Sequence, residues 1–285
     1  MTNAAVLRLG GVRRRRPRFN AGSTGLTLLA WVMALLFFFP IAWMILLSFR
    51  SESDAATPKL LAAFTGVNYD GLFSGDVKIA ILNSLNASIT STVLVLLLAV
   101  PAAYALSIKP VKKWTDVLFF FLSTKMMPAV AALLPIYLIT NDLGMNDNIW
   151  ALILVYTAAN LPIAIWMLRS FLLEVPREII EAAQVDGANL VTILRRVITP
   201  IIAPGLAATA LICFIFSWNE FLFALRLTGQ NAKTAPVFLA GSIAPEGLFL
   251  AHLCAVAFVV CLPVLIAGWV AQDKLVRGLS LGAVK

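Results

Sequence analysis

Charged, histidine and cysteine residues are scarce in this chain. Of its 285 residues, 13% are charged, one is histidine and three are cysteine. An ordinary soluble domain carries about 25% charged residues, so a soluble enzyme is excluded. His252 alone cannot form a multi-histidine metal cluster, and Cys213, Cys254 and Cys261 lack the paired spacing of a disulfide or metal site. No metal site and no catalytic residue is therefore predicted.

Long hydrophobic runs, by contrast, are abundant, because 61% of the residues are hydrophobic. A membrane-spanning helix needs about 20 mainly apolar residues. Six segments satisfy this, at about 26–48, 83–108, 116–138, 149–168, 201–225 and 249–272. The first is longer than the apolar region of a signal peptide, which is about 7–15 residues, and is predicted to be retained. The fold class is thus an all-α membrane protein with six transmembrane helices.

The distribution of lysine and arginine predicts how these spans are oriented. Sixteen of them lie in a basic N-terminal arm (1–25), in the connections after the second and fourth spans, and in the tail; five lie on the other side. Because cytoplasmic connections are enriched in these residues, both termini are predicted to be cytoplasmic. The net charge of +8 therefore relates to the lipid bilayer, and no nucleic-acid partner is expected.

The longest cytoplasmic connection, at about residues 169–200, has a helix–glycine–helix pattern. Pro176 suits a first helical turn, Gly187 suits the left-handed position that ends a helix, and Asn189 can cap a second helix. Pro200 is predicted to open the next span. The first helix carries an apolar stripe of Ile179, Ile180, Ala183 and Val185. This pattern alone does not distinguish helices that merely connect two spans from an elbow that binds a partner.

The same connection resembles the EAA loop of the membrane subunits of bacterial binding-protein-dependent ABC importers. Glu181-Ala182-Ala183 is followed after three residues by Gly187, and the family's closing I-x-L-P falls at Val197-Ile198-Thr199-Pro200, where Thr199 departs from leucine. Other motifs are similar to carbohydrate permeases of the maltose type. They are Asn83-Ser84-Leu85, Pro101-Ala102-Ala103-Tyr104-Ala105-Leu106, Trp218-Asn219-Glu220-Phe221, Val276-Arg277-Gly278-Leu279 and Gly282-Ala283-Val284-Lys285.

This resemblance implies a type I ABC-importer permease domain over residues 26–285, in the bacterial cytoplasmic membrane, for a carbohydrate or polyol. It implies four kinds of partner: a second permease (more typically a different chain), two ATPase subunits, an external solute-binding protein and the lipid bilayer. The ATPase-coupling residues would be Glu181, Ala182, Ala183, Gly187 and Asn189. The chain has no phosphate-binding loop followed by Lys-Ser or Lys-Thr, so ATP and magnesium are expected on the ATPase and no cofactor here.

Four polar residues are candidates for the substrate pathway, namely Asn83, Lys125, Asn219 and Glu220. Polar groups at membrane depth are costly unless they are paired or face water. Asn219 and Glu220 either offer hydrogen bonds to sugar hydroxyls or join helices to one another. Lys125 either faces an aqueous cavity or pairs with an acid such as Glu220, next to a helix kink predicted at Pro128.

A self-sufficient, ion-coupled transporter is the alternative function. Such transporters use intramembrane acids or broken helices in two internal repeats. This sequence shows no convincing repeat, and only Glu220 and Lys125 lie deep within predicted spans. The importer permease is therefore favoured, and the low number of charges within the spans favours an uncharged solute. Which sugar is carried, and whether two identical permeases pair, stay open.

Overall fold

A computed structural model describes residues 21–55, 57, 63–108, 111–242 and 249–283, the side chains of 21–24 and 273–283 excepted. These residues contain helices and no strand, which confirms the all-α fold class. The α-helices are α1 Ala21–Ser48, α2 Glu52–Ala55, α3 Gly75–Ser107, α4 Trp114–Met126, α5 Ala129–Asp142, α6 Ile149–Leu172, α7 Arg177–Val185, α8 Leu190–Thr192, α9 Thr199–Ile201, α10 Ala203–Trp218, α11 Leu222–Leu227, α12 Ala235–Gly241 and α13 Leu250–Ala283. The predicted basic arm lies almost wholly outside the described residues, and so do the side chains of the C-terminal motifs.

The first structural unit, residues 1–46, is described through α1. Apolar side chains such as Leu26, Trp31 and Phe37 are exposed on several sides of this helix. A helix that is apolar all round is suited to a lipid environment. This agrees with the first predicted span.

The core of the second unit, residues 47–285, forms where α3 and α6 pack along one another. Ala87, Ala99 and Ala103 of α3 and Ala151 and Ala164 of α6 are fully buried. Small residues let the backbones of two membrane helices approach closely. Helix α10 packs against both of these helices and against α13.

Among the described residues, four helices are each long and apolar enough to cross a membrane: α1, α3, α6 and α13. They correspond to the first, second, fourth and sixth predicted spans, although α3 begins earlier, at Gly75. The third predicted span is not one kinked helix. Helix α4 ends at Met126, and α5 begins at Ala129 after a bend of 91°. Pro128 lacks an N–H group and disfavours helix at the residue before it, so the helix breaks instead of bending.

The fifth predicted span, at about 201–225, is not one helix, because α10 ends at Trp218 and α11 begins at Leu222. The helical segment Leu190–Ile201 meets α10 at an angle of 86°. The prediction that Pro200 opens the span was wrong, because Pro200 lies within α9 and the span begins at Ala203 with Pro204 in its first turn. A proline in a first turn leaves no backbone donor unpaired, since those N–H groups have no partner in the helix. The part of the chain that the structure describes therefore holds four candidate spans, or up to six if each bent pair is counted as one span.

Candidate functional site

The elbow, defined here as α7, the turn at Gly187 and the helical segment 190–198, has the geometry that its sequence predicts. Gly187 has a φ of +79°. The Ala188 N–H donates to the Ala183 carbonyl at 2.9 Å. This hydrogen bond is typical of a helix that ends just before a residue in the left-handed conformation, here Gly187. The Asn189 side-chain oxygen accepts the Thr192 N–H at 2.9 Å and caps the second helix. The predicted helix–glycine–helix turn is therefore confirmed.

The apolar stripe predicted along α7 divides between two faces of that helix. Ile180 is 2% exposed and Ala183 is half-buried. Ile179 and Val185, however, are 42% and 88% exposed. Residues three apart share a helix face whereas residues five apart do not, so Ile180 and Ala183 point inward and Val185 points away. The prediction of a single stripe was wrong for Ile179 and Val185.

The inner face of the elbow is anchored in the core of the second unit. Ile180, Ile193 and Ile198 belong to the same buried cluster as Leu168 and Leu172, the last turns of α6. Closely packed interiors transmit displacement because they have few voids to absorb it. The inner face of the elbow therefore forms one packed cluster with the end of α6.

The outer face of the elbow, defined as Glu181, Ala182, Val185, Leu190 and Val191, is exposed. The side chain of Val191 is 70% exposed and that of Leu190 is 54% exposed. Exposed apolar side chains that cluster within a polar surround mark interaction sites. Ala182 is also exposed, and its small side chain leaves room for a partner to approach the backbone of α7. This face has the chemistry of a protein-docking surface.

Asn219 and Glu220 cap helix ends where α10 stops and α11 starts. The Asn219 side-chain amide donates to the Ile215 carbonyl at 2.8 Å. The two Glu220 carboxylate oxygens accept the N–H groups of Phe223 and Ala224 at 2.9 and 3.1 Å. Glu220 therefore pairs N–H groups that the start of α11 leaves without a partner in the helix, whereas the Ile215 carbonyl also accepts the Asn219 N–H at 3.0 Å.

Lys125 lies in the last turn of α4, beside the break in the third span. Its Nζ donates to the Ala159 carbonyl at 3.1 Å and lies 5.1 Å from the centre of the Phe216 ring. The hydrogen-bond partner is thus a carbonyl oxygen and not the Glu220 carboxylate. Lys125 lines a mainly apolar cavity of about 490 Å³, in which Thr124 contributes a hydroxyl group. Neither role is established by this contact, and a place for Lys125 in the substrate pathway stays a prediction.

Asn83, the fourth pathway candidate, binds a distant loop. Its side-chain amide donates to the carbonyl oxygens of Asn231 and Lys233 at 2.8 and 3.0 Å. The hydroxyl of the neighbouring Ser84 accepts the Ala235 N–H at 2.8 Å. Among the hydrogen bonds of these described side chains, none joins two of the four candidates.

The amino-acid sequence matches a known family over residues 95–277, which is described as binding-protein-dependent transport system inner membrane components. This match covers more than half of the chain and includes the elbow. The chain belongs to this family. It is a multi-pass subunit of the inner membrane and a transport component rather than an enzyme.

Full-length relatives support the same conclusion. The chain is 37% identical over 263 residues to the probable ABC transporter permease protein y4oR of Sinorhizobium fredii, covering 91% of this chain and 94% of that protein. It is 34% identical over 255 residues to the trehalose transport system permease protein SugB of Mycobacterium tuberculosis, covering 86% and 92%. The fold resembles a chain of the bacterial ABC transporter involved in import of the acidic polysaccharide alginate, with a TM-score of 0.76, 23% identity and coverage of 90% and 96%.

Sequence reasoning missed a buried polar network inside this permease. The Asn160 amide donates to the Ser217 hydroxyl at 3.0 Å, and the Ser217 and Ser91 hydroxyls lie 3.1 Å apart. All three residues are buried, so the network joins α6, α10 and α3 within the bundle. An asparagine within an apolar run was the available signal, because membrane helices use such groups to bind one another.

A second group that sequence reasoning missed is a carboxylate in the connection between α5 and α6. Asp147 Oδ1 accepts the N–H groups of Gly229 and Ala232 at 2.7 and 2.9 Å. Its Oδ2 accepts the N–H and side-chain amide of Asn231 at 3.1 and 2.9 Å. Burial opposes ionisation, but the N–H groups of Ala232, Asn231 and Gly229 outweigh it and lower the pKa of Asp147. These partners lie 82 to 85 residues along the chain, so no local motif announces them.

Proposed function

We propose that this permease imports a carbohydrate or polyol, driven by ATP hydrolysis on separate ATPase subunits that bind the outer face of the elbow. The observation that carries the proposal is the division of the elbow into two faces. Its inner residues Ile180 and Ile193 are buried with the end of α6, while Val185 and Val191 are exposed. A lever needs such a pair of surfaces, one fixed to the moving element and one free to bind the motor.

In the proposed orientation the elbow and both termini face the cytoplasm, in keeping with the excess of lysine and arginine on that side. ATP and magnesium bind on the two ATPase subunits, and a solute-binding protein delivers the substrate to the opposite side. A second permease, a different chain, completes the pathway. Closure of the ATPases moves the elbow, and the packed core carries this movement into the spans as a rigid-body rotation.

The carbohydrate class rests on the maltose-type motifs, on the name of the trehalose permease relative and on the chemistry of the cavity at Lys125. The Lys125 ammonium group can donate to sugar hydroxyls, and the nearby Phe216 ring can pack on the C–H face of a sugar. The other three candidates shape the pathway through structure. Asn219 and Glu220 bind backbone groups at the break between α10 and α11, and Asn83 binds the loop that follows α11. Glu220 in particular fixes the start of α11.

Reconstitution into proteoliposomes tests the proposal. The permease, its partner permease and the ATPases are reconstituted with the solute-binding protein outside and ATP inside, and uptake of labelled sugar is measured. Uptake is expected only when ATP and the ATPases are both present. Transport by the permease alone, driven by an ion gradient, would contradict the proposal and support the ion-coupled alternative.

A pair of variants at one position connects this experiment to the elbow. Val185→Asp places a charge on the outer face without touching the core, and is expected to abolish ATP-dependent uptake. Val185→Ile keeps an apolar surface and is the matched control, with uptake close to that of the natural protein. Equal uptake by both variants would show that the outer face does not bind the ATPase.

A further inference from the structure

The end of α6 that carries the elbow is also joined to α3 and α4, through the side chain of Arg169. Arg169 lies in the last turn of α6, and its Nε–H donates to the Leu106 carbonyl in the last turn of α3 at 3.2 Å. The guanidinium carbon lies 4.4 Å from the centre of the ring of Trp114, the first residue of α4. A cation at this distance from an indole ring is attracted by the ring. One side chain therefore joins the ends of three helices.

Both partners of Arg169 suit a guanidinium group. In a continuing helix the Leu106 carbonyl would accept an N–H from the residue four positions on, but that residue is Pro110, which has no N–H. The Leu106 carbonyl is therefore available to a side-chain donor. A guanidinium group is planar, so it can donate in its own plane while its face stacks on an aromatic ring. A lysine ammonium group supplies the charge without this planar geometry.

Helix α4 is held to the bundle by one half-buried face. Every residue of α4, which the structure describes in full, is at least partly exposed, whereas α3 and α6 each contain many buried residues. Trp114, Val117, Leu118 and Phe121 pack against the buried cluster that includes Ile180 of the elbow. Their spacing places them on one side of the helix. Arg169 therefore holds α4 at the point where this helix joins the cluster that the elbow also joins.

The other end of α4 forms part of the cavity at Lys125. Thr124 and Lys125 lie in the last turn of α4 and line this cavity together with Ala158 and Ala159 of α6. Directly after this turn the chain breaks, and α5 continues at an angle of 91°. A helix of 13 residues is about 20 Å long. Helix α4 thus runs from the contact with Arg169 to the wall of the cavity, where a break in the helix allows its angle to α5 to change.

We propose that Arg169 is a positioning residue for energy coupling, which makes the start of α4 move together with the end of α6. The inference rests on the proposed function, in which the ATPases move the elbow. Helix α4 then carries the movement to the cavity wall at Lys125, and the break after Met126 absorbs the change of angle. Without this contact α6 moves while α4 stays behind, so that ATP is hydrolysed without the corresponding change in the shape of the cavity.

The test measures the sugar imported per ATP hydrolysed by the assembled transporter in proteoliposomes, together with the melting temperature of each variant. Arg169→Gln removes the charge and the planar group, and the ratio should fall roughly two- to tenfold, the factor that corresponds to the loss of a cation–π contact. ATP hydrolysis itself should be retained. Arg169→Lys, which keeps the charge, should give an intermediate ratio. The matched control is Lys112→Gln, which removes the same charge from an exposed position between α3 and α4 and should leave the ratio unchanged.

Variants of the ring keep the inference testable if Arg169→Gln does not assemble. Trp114→Phe keeps an aromatic face and should retain most of the coupling, whereas Trp114→Leu should lower the ratio as much as Arg169→Gln does. The double variant Arg169→Gln/Trp114→Leu should lose no more than either single variant, because the two changes remove the same contact.

A ratio equal to that of the natural protein in both Arg169→Gln and Trp114→Leu would overturn the inference. It would do so even if the melting temperature fell, because Arg169 would then serve stability alone. Losses that add up in the double variant would also overturn it. Sugar import by the natural protein without ATP would instead overturn the proposed function.

Discussion

Several carboxylates of this permease bind backbone N–H groups. Glu52 accepts the N–H groups of Ala251 and His252 at 3.1 and 2.8 Å at the start of α13, and Glu220 does the same for α11. Asp147 binds N–H groups of the connection between α11 and α12. A carboxylate placed at a helix N-terminus pairs with donors that the helix leaves unsatisfied. In this arrangement Glu220 serves as a structural cap, whereas ion-coupled transporters use intramembrane acids to bind the coupling ion.

The lowered pKa of Asp147 predicts a particular dependence of stability on pH. Because the folded state favours the carboxylate, its stabilisation is complete above the ordinary value of 3.8 and is lost as the pH falls through the lower folded value. The difference in melting temperature between the natural protein and Asp147→Asn should therefore be constant from about pH 5 to 8 and shrink below about pH 4. Thermal unfolding of the purified protein in detergent measures it. A difference that grew towards low pH would contradict the assignment.

The buried network around Ser217 predicts a cost of removing one hydroxyl. In Ser217→Ala the Asn160 amide loses its acceptor, which should destabilise the protein by about 1 kcal/mol, the scale of polar contacts between membrane helices. Thermal unfolding reports the loss. Ser170→Ala is the control, because Ser170 is exposed and its hydroxyl bonds a carbonyl of its own helix. Adding Asn160→Leu to Ser217→Ala should recover stability. A further loss of stability would show that Ser217 does not stabilise the protein through this network.

At the scale of elements, the turn at Gly187 is the part of the elbow most sensitive to substitution. A Cβ atom there would meet nothing within 4 Å, so any effect comes from the backbone and not from crowding. The left-handed conformation costs an L-residue about 1–2 kcal/mol, and more for a β-branched one. Gly187→Val is therefore expected to insert normally but to lower the sugar imported per ATP hydrolysed. Gly187→Asn, which tolerates this conformation, should retain most of the coupling; equal coupling in both variants would contradict the role of the turn.

The packing of α10 against the end of α6 depends on a second glycine. A Cβ atom at Gly205 would lie 2.3 Å from Cγ of Phe171. Cγ joins the ring to the rest of the side chain, so a rotation of the ring does not move it away. Gly205→Ala should therefore destabilise the assembled protein by about 1–3 kcal/mol, measured by thermal unfolding. Gly241→Ala, where a Cβ atom would meet nothing within 4 Å, is the control. Addition of Phe171→Leu should restore part of the stability, and a Gly205→Ala protein as stable as the natural one would contradict this packing.

For the molecule as a whole, the features that sequence predicts are those set by local chemistry. Length and apolarity identify the helices, and Gly187 and Asn189 specify the elbow within a few residues of chain. Periodicity cannot say which side of an amphipathic helix meets the core, so the exposure of Val185 was missed. A proline within a span permits either a kink or a break of the helix. At Pro128 the helix breaks, and the sequence alone does not distinguish these two outcomes. The partners of Asp147 lie more than 80 residues away, a distance over which one sequence alone carries no signal.

The elbow, which is the proposed handle for the ATPase, lies at one end of α6, and Asp147 binds the connection between α11 and α12 at the other end. Helix α6 also carries Asn160 of the buried network and packs along α3. In the proposed mechanism, a movement that begins at the elbow reaches the core of the second unit through this helix. The central claim is that the outer face of the elbow contacts the ATPase directly.

Photo-crosslinking in the assembled, transport-active complex tests that claim most directly. A crosslinking residue is placed at Val185, which is 88% exposed on the elbow, and separately at Trp150, which is 54% exposed at the other end of α6. Irradiation should give an adduct with the ATPase from position 185 and none from position 150. An active complex in which position 185 forms no ATPase adduct, or in which both positions form one equally, would contradict the account.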